Sequence, residues 1–270
     1  MAERASPTPG APAAPSARAD AAPRLPWGTW LAMWRRTFVV QGAWSYDVMI
    51  GPGLAYAIEP ALRLLPGGPG GDAYRAALAR QSQYFNCHPY FSAMAVGALA
   101  RLELDQAPSA MITRFRGALC GPLGSVGDRL VWAAWLPACA LLGLLFWGLG
   151  AGATGAVLAF VLSYNMGHVA LRAWGLSEGW RRGQQVASAL AAPWLRDGPA
   201  VIGRVAAVLA GLALPLVTGR LLSGDWVLAG AVLVAAVPAG YVISRLGGRV
   251  PGWAAAAGVL SLLSLVALLA

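Results

Sequence analysis

An aspartate at the edge of an apolar run is the first residue here with chemistry to offer. Asp128 closes a stretch in which Gly117, Gly121, Gly124 and Gly127 recur at spacings of four, three and three, with Pro122 among them. An ionisable group near membrane depth is costly and is by default a functional candidate. The glycines fall on one helical face, where small residues let backbones approach closely. Pro122 removes a backbone donor in their midst. Together they predict a broken or hairpin helix at Gly121, Pro122, Gly124 and Gly127. A plainer alternative stays open, in which the glycines are only a packing seam and Asp128 caps a helix starting at Arg129. Two amides join the candidates. Asn86 stands in the run Tyr84, Phe85, Asn86, Cys87, His88, Pro89, Tyr90, whose proline disfavours helix at His88. Asn165 shares a helix face with His168 and Arg172. An interhelical hydrogen bond by Asn165 and an Arg172 that snorkels to the membrane surface are the structural expectations for that face.

Other chemistries are poorly supplied. Cys87, Cys120 and Cys139 lack C-x-x-C spacing and read as small buried hydrophobes. His88 and His168 are isolated, whereas zinc needs four ligands, or three and a water. No metal and no cofactor are expected. There are no paired carboxylates, no H-E-x-x-H pattern and no exposed nucleophile with a base beside it, which argues against a membrane-embedded enzyme. The net charge of +9 comes with 20 basic residues, all arginine, spread singly or in pairs. Without a basic face interleaved with aromatics, it reads as loop arginines that orient a membrane protein, not as nucleic-acid binding.

The elements that must position these residues follow from composition. Of 270 residues 58% are hydrophobic and 11% charged, against about 25% charged in soluble domains. Such a chain has its surface in hydrocarbon, with backbone groups satisfied inside helices. The expectation is an all-α, polytopic integral membrane protein, with re-entrant or broken helical hairpins in the first half and several transmembrane helices in the second. Residues 1–26, rich in Pro and Ala, predict a disordered cytoplasmic tail. Residues 27–270 predict one membrane domain. Trp27, Trp30 and Trp34 beside Arg35 and Arg36 suggest an interfacial amphipathic helix. Re-entrant helices are expected to about residue 66, then a glycine-proline linker. A polar helix over 72–85, with Asp72 as its N-cap, and inserted hairpins to residue 128 follow. Spans are expected at 129–149, 151–173, 200–219, 226–244 and 252–270, each near the ~20 residues that a bilayer needs. Arg172, Arg181, Arg182 and Arg196, with Arg245 and Arg249, put their loops in the cytoplasm. The N-terminus is then cytoplasmic and the C-terminus outside.

Three ordered blocks resemble the IID component of the mannose/fructose/sorbose-type phosphotransferase sugar permeases. The first is Val40, Gln41, Gly42, Ala43, Trp44, continuing through Tyr46 and Met49 to Pro60 and Ala61. The second is Tyr84, Phe85, Asn86 and Pro89, then Val96 and Gly97. The third holds Gly121, Pro122, Leu123, Val126, Gly127, Asp128, Trp132 and Pro137, then Asn165, Arg172 and Gly175. The resemblance covers 36–183. It implies an inner-membrane subunit that, with a IIC partner in a hetero-oligomer, carries a hexose-type sugar. Soluble IIA and IIB phosphocarrier proteins phosphorylate the sugar, and the IID chain is not phosphorylated. It also implies that Gln41, Trp44, Asp47, Asn86, Asp128 and Asn165 line the moving region or a subunit contact.

This chain departs from the family pattern. After Trp44 the pattern usually runs Asn, aromatic, Glu, Arg, Met, Gln; here it is Ser45, Tyr46, Asp47, Val48, Met49, Ile50. Gln81 and Gln83 replace the usual His and Glu, Leu136 and His168 replace arginines, and a polar insert before the final spans is missing. These losses motivate the rival expectation of a non-transporting scaffold or regulatory anchor for phosphotransferase proteins.

Overall fold

The computed structural model describes residues 24–221 and Gly230. The expected tail lies outside them up to residue 23. So do the spans expected at 226–244 and 252–270, Arg245, Arg249 and the C-terminal orientation.

Among the described residues the fold is helical, with two isolated bridges, Ser45 to Met49 and Met49 to Phe85. Four short helices come first: α1 (Trp27–Thr37), α2 (Gly51–Leu62), α3 (Asp72–Gln81) and α4 (Ser92–Leu104). With 10 to 13 residues, none reaches the ~20 residues of a straight span. Three long apolar elements follow. In the first, α5 (Ser109–Gly127) passes through a π-helix (Asp128–Trp135) into α6 (Leu136–Gly148). The second is led by α7 (Gly152–Arg182), and the third is α9 (Pro193–Leu221), with the single turn α8 (Ala187–Leu190) between them. All three are long and apolar enough to cross a membrane.

The expected hairpin is therefore corrected. Gly121, Pro122, Gly124 and Gly127 lie in one unbroken helical run from Ser109 to Gly148. Pro122 is absorbed inside α5, as membrane helices allow when neighbouring groups re-satisfy the backbone. The strain of the sequence shows instead as the π-helix beginning at Asp128. Asp128 is not the N-cap of a helix starting at Arg129, because the helical run begins 19 residues before it, at Ser109. The span expected to begin at 129 is the second half of this rod. Asp72 likewise opens α3 without capping it: Gly71 holds the N-cap position with no side-chain cap, and Asp72 pairs with Arg75 at 2.6 Å.

The core sits around α4, buried on nearly every face and packed chiefly on α7. A helix apolar all round is a core helix. Two glycines make this crossing tight. A Cβ on Gly97 would lie 2.3 Å from the Leu176 carbonyl oxygen, and one on Gly179 would lie 2.1 Å from that of Met94. α6 packs on α7 and α9, and Arg220 of α9 donates to the Gly148 carbonyl at the end of α6, 2.8 Å away. Val157, Leu158, Val161, Leu162 and Met166 on α7 and Val201, Val205, Val208 and Leu212 on α9 are exposed. Such continuous outward apolar faces suit lipid or a membrane partner.

Candidate functional site

The segment between α3 and α4 is held by polar side chains of α3, α4 and α5. Arg116, on α5, is 4% exposed. Its guanidinium donates to the carbonyls of Gln81, Gln83 and Tyr84 at 2.8, 2.6 and 2.6 Å, and lies 5.1 Å from the centre of the Phe85 ring. Gln81 in turn donates to Glu103 at 2.6 Å, and Arg80 grips the same carboxylate at 3.0 and 2.6 Å. A buried arginine gathering carbonyls is a fork used to fix backbone. Phe85 also bonds through its backbone to the 48–50 segment, with Ile50 N–H to Phe85 O at 3.0 Å and Phe85 N–H to Val48 O at 3.2 Å.

So fixed, the 84–88 segment faces one side of α5 and the π-helix across a cavity of about 610 Å3. Tyr84, Asn86, Cys87 and His88 form one wall; Cys120, Gly121, Gly124, Ser125, Asp128 and Trp132 form the other. Asn86 and Asp128, far apart in sequence, thus meet at one site. The glycines divide in their roles. A Cβ at Gly117 or Gly121 would touch nothing within 4 Å, so neither packs within the chain, and Gly121 opens the cavity floor. Gly127 is a true contact: a Cβ there would lie 2.2 Å from the His88 Cβ.

His88 is 2% exposed. Burial pushes its imidazole down to about 4, assisted by the charge of Arg172 and by His168; it is neutral near pH 7. Burial also raises the Cys87 thiol well above its ordinary value, so it is no nucleophile at neutral pH. Among the described residues no cluster of three His, Cys, Asp or Glu side chains could hold a metal.

The remaining predicted residues lie elsewhere. Gln41, Trp44 and Asp47 are exposed and do not line this cavity. Trp44 packs edge-on to Tyr46, 4.7 Å away, beside a loop closed by the paired backbones of Ser45 and Met49. Asn165 is exposed and donates to the Val161 carbonyl of its own helix at 2.8 Å, not across helices. Arg172 does not snorkel. It is 2% exposed, donates to the Thr37 carbonyl and to His168 Nε2, the latter at 2.7 Å, and lies between the Phe38 and Tyr90 rings. The end of α1 accepts its fork, and His168 stacks on Tyr90 with centroids 4.0 Å apart. An arginine four residues after a histidine gave no sign of this in sequence, because the acceptor is 135 residues away.

Comparison with known proteins fits this architecture. Residues 28–218 match the family described as the PTS system mannose/fructose/sorbose family IID component. The chain is 28% identical over 177 residues to the mannose-specific EIID component of Escherichia coli K12, covering 62% of this chain and 61% of that one. It is 28% identical over 180 residues to the fructose permease IID component of Bacillus subtilis, covering 64% of each. With the sorbose-specific EIID component of Klebsiella pneumoniae it shares 28% over 184 residues, 65% of this chain and 66% of that. The match thus spans about three fifths of the length of the Escherichia coli relative. Among solved structures, the cryo-EM structure of the mannose transporter ManYZ in complex with microcin E492 (MceA) superposes with a TM-score of 0.55 at 25% identity. It covers 73% of this chain and 70% of that one. These relatives and the long apolar helices make the chain a multi-pass inner-membrane protein. With most of its length matched by one family model, the chain belongs to the mannose/fructose/sorbose family of IID components of the phosphotransferase system.

Proposed function

We propose that the chain is the IID half of a sugar permease, forming a translocation unit with a IIC membrane subunit. Soluble IIA and IIB proteins supply the phosphate, and the chain itself has no catalytic or phosphorylated residue. The observation that carries the reading is the cavity in which Asn86 and Asp128 converge beside Tyr84 and Trp132. A sugar needs groups that donate and accept for its hydroxyls and an aromatic face for the apolar side of its ring. An amide, a carboxylate and two aromatics supply both. Gln41, Trp44, Asp47 and Asn165, exposed and away from the cavity, are assigned to contact with the partner subunit. Residues 27–270 act as one membrane domain.

Orientation belongs to the same proposal. Arg181 and Arg182 end α7, and Arg196 begins α9. Arginine on these short connections favours the cytoplasmic side, and the N-terminus, with Arg35 and Arg36 near it, is placed there too. Arg172 drops out of the count because it is buried in the fold.

The test is Asp128→Asn, expressed with a IIC partner. Sugar uptake is expected to fall at least about tenfold, the scale of one hydrogen bond to a charged group, with the protein still in the membrane. Uptake equal to the parent's would remove Asp128 from the site. A parent complex that binds phosphocarriers yet moves no sugar would favour the scaffold.

A further inference from the structure

The cavity contains one group that the sugar-site reading leaves unused. His88 Nε2 is buried and has no hydrogen-bond partner among the described residues. Its other nitrogen, Nδ1, accepts from the Tyr90 backbone N–H at 3.2 Å. In a neutral imidazole that places the proton on Nε2, as a donor without an acceptor. Buried donors left unpaired are rare and call for an explanation.

The ring is held in place. Gly127 presses on its Cβ, and Tyr90 and Phe91 meet it edge-on, with centroids at 5.1 and 6.2 Å. The remaining neighbour is Trp132, 4.8 Å away and 52% exposed. Of these three aromatic neighbours, Trp132 alone lines the cavity. His88 and Trp132 line the same cavity, so an oxygen taking the place of the indole would approach Nε2 from that side.

The acidic side chain lining the cavity is Asp128, and no arginine is among the lining residues. An anionic ligand would meet that carboxylate, while the arginines nearest the lining already donate to backbone carbonyls, Arg129 to Ser125 and Arg116 to Tyr84; a hydroxyl can accept from a histidine and donate to an aspartate. We infer that His88 determines specificity by donating its Nε2–H to a hydroxyl of the bound sugar, displacing Trp132, and that the cavity takes the neutral sugar in preference to its phosphate ester. The inference rests on the permease reading above.

Two substitutions separate this role from a structural one. His88→Asn keeps an acceptor near Nδ1 for the Tyr90 N–H and deletes the Nε2 donor. His88→Gln keeps an amide donor near Nε2 and gives up the Nδ1 position. Each full-length chain is reconstituted with a IIC partner, and binding of radiolabelled mannose and mannose 6-phosphate is measured. The expected result is a roughly tenfold or greater loss of mannose affinity in H88N, with H88Q within about threefold of the parent and mannose 6-phosphate bound more weakly than mannose throughout. If H88N does not fold, single-deoxy mannoses on the parent complex take its place, and one of them must show the same loss. Equal affinity in H88N and the parent, a loss greater in H88Q than in H88N, or indifference to every deoxygenation overturns the inference. The permease reading survives those results; it falls, and this inference with it, if the parent complex binds no hexose.

Discussion

At the scale of single residues the cavity depends on Arg116 as much as on any group that would touch a ligand. Three carbonyls and an amide oxygen converge on its guanidinium, and removing it leaves the two Gln81 oxygens buried without this donor. Arg116→Met is expected to cost about 3 kcal/mol or more of stability, read as a lower melting temperature in detergent, and Arg116→Lys should recover only part because it lacks the fork. Gly121 offers the converse test. Since a Cβ there meets nothing within 4 Å, Gly121→Leu should fill the cavity and abolish sugar uptake while melting within a few degrees of the parent. A large drop in melting temperature would show that Gly121 packs after all. Asp128 and Asn86 could be picked from sequence because carboxylates and amides stand out against apolar neighbours. Arg116 could not, because its partners are backbone atoms more than thirty residues away. His88 stands isolated in sequence, which shows spacing between ligands but not the loss of a partner on burial.

Helices tell a similar story one level up. The existence of α3, α7 and α9 followed from hydrophobic runs and polar breaks, whereas the form of α5 did not. Glycines and a proline lower helix propensity in water, but a segment with core packing and no water to compete for its backbone stays helical. The strain surfaces as the π-helix Asp128–Trp135. Because a π turn is an α turn with a residue added, deleting Ala133 should restore α geometry and keep both flanking helices packed, while turning Trp132 away from His88. Uptake should fall while membrane insertion stays intact. Where α4 crosses α7, Gly179→Ala would drive a Cβ to 2.1 Å from the Met94 carbonyl oxygen and should destabilise by about 1–3 kcal/mol, seen as a lower melting temperature. The short N-terminal helices are tied together by Glu59, which accepts from Arg36 at 2.7 Å, Arg63 at 2.6 Å and Tyr74 at 2.9 Å. Burial alone would raise its carboxyl, but the bonds from Arg63, Arg36 and Tyr74 hold it below its ordinary 4.5. A group depressed on folding stabilises fully above its unfolded value and ceases to do so as pH falls through the folded one. Stability lost as pH falls below the ordinary 4.5 should therefore shrink in Glu59→Gln, as measured by thermal melting at neutral and at successively lower pH.

For the molecule as a whole, the sidedness of the fold can be tested directly. Gln184→Cys, placed beside the arginines ending α7 in a chain lacking its native cysteines, should react with an impermeant maleimide in inverted vesicles and resist it in intact cells. Labelling from outside would reverse the proposed topology. The 40-residue rod from Ser109 to Gly148 has a mechanical consequence as well. At 1.5 Å per residue it is about 60 Å long, twice the ~30 Å of hydrocarbon. Such a rod would act as a lever: pivoted near one end, a tilt of about ten degrees would sweep the other through roughly 10 Å. The wall carrying Gly121 and Asp128 is rooted partway along that spar, so a lean of the beam would carry that side of the cleft with it, and whatever grips the far tip, lipid or neighbour, would set how far the two walls stand apart.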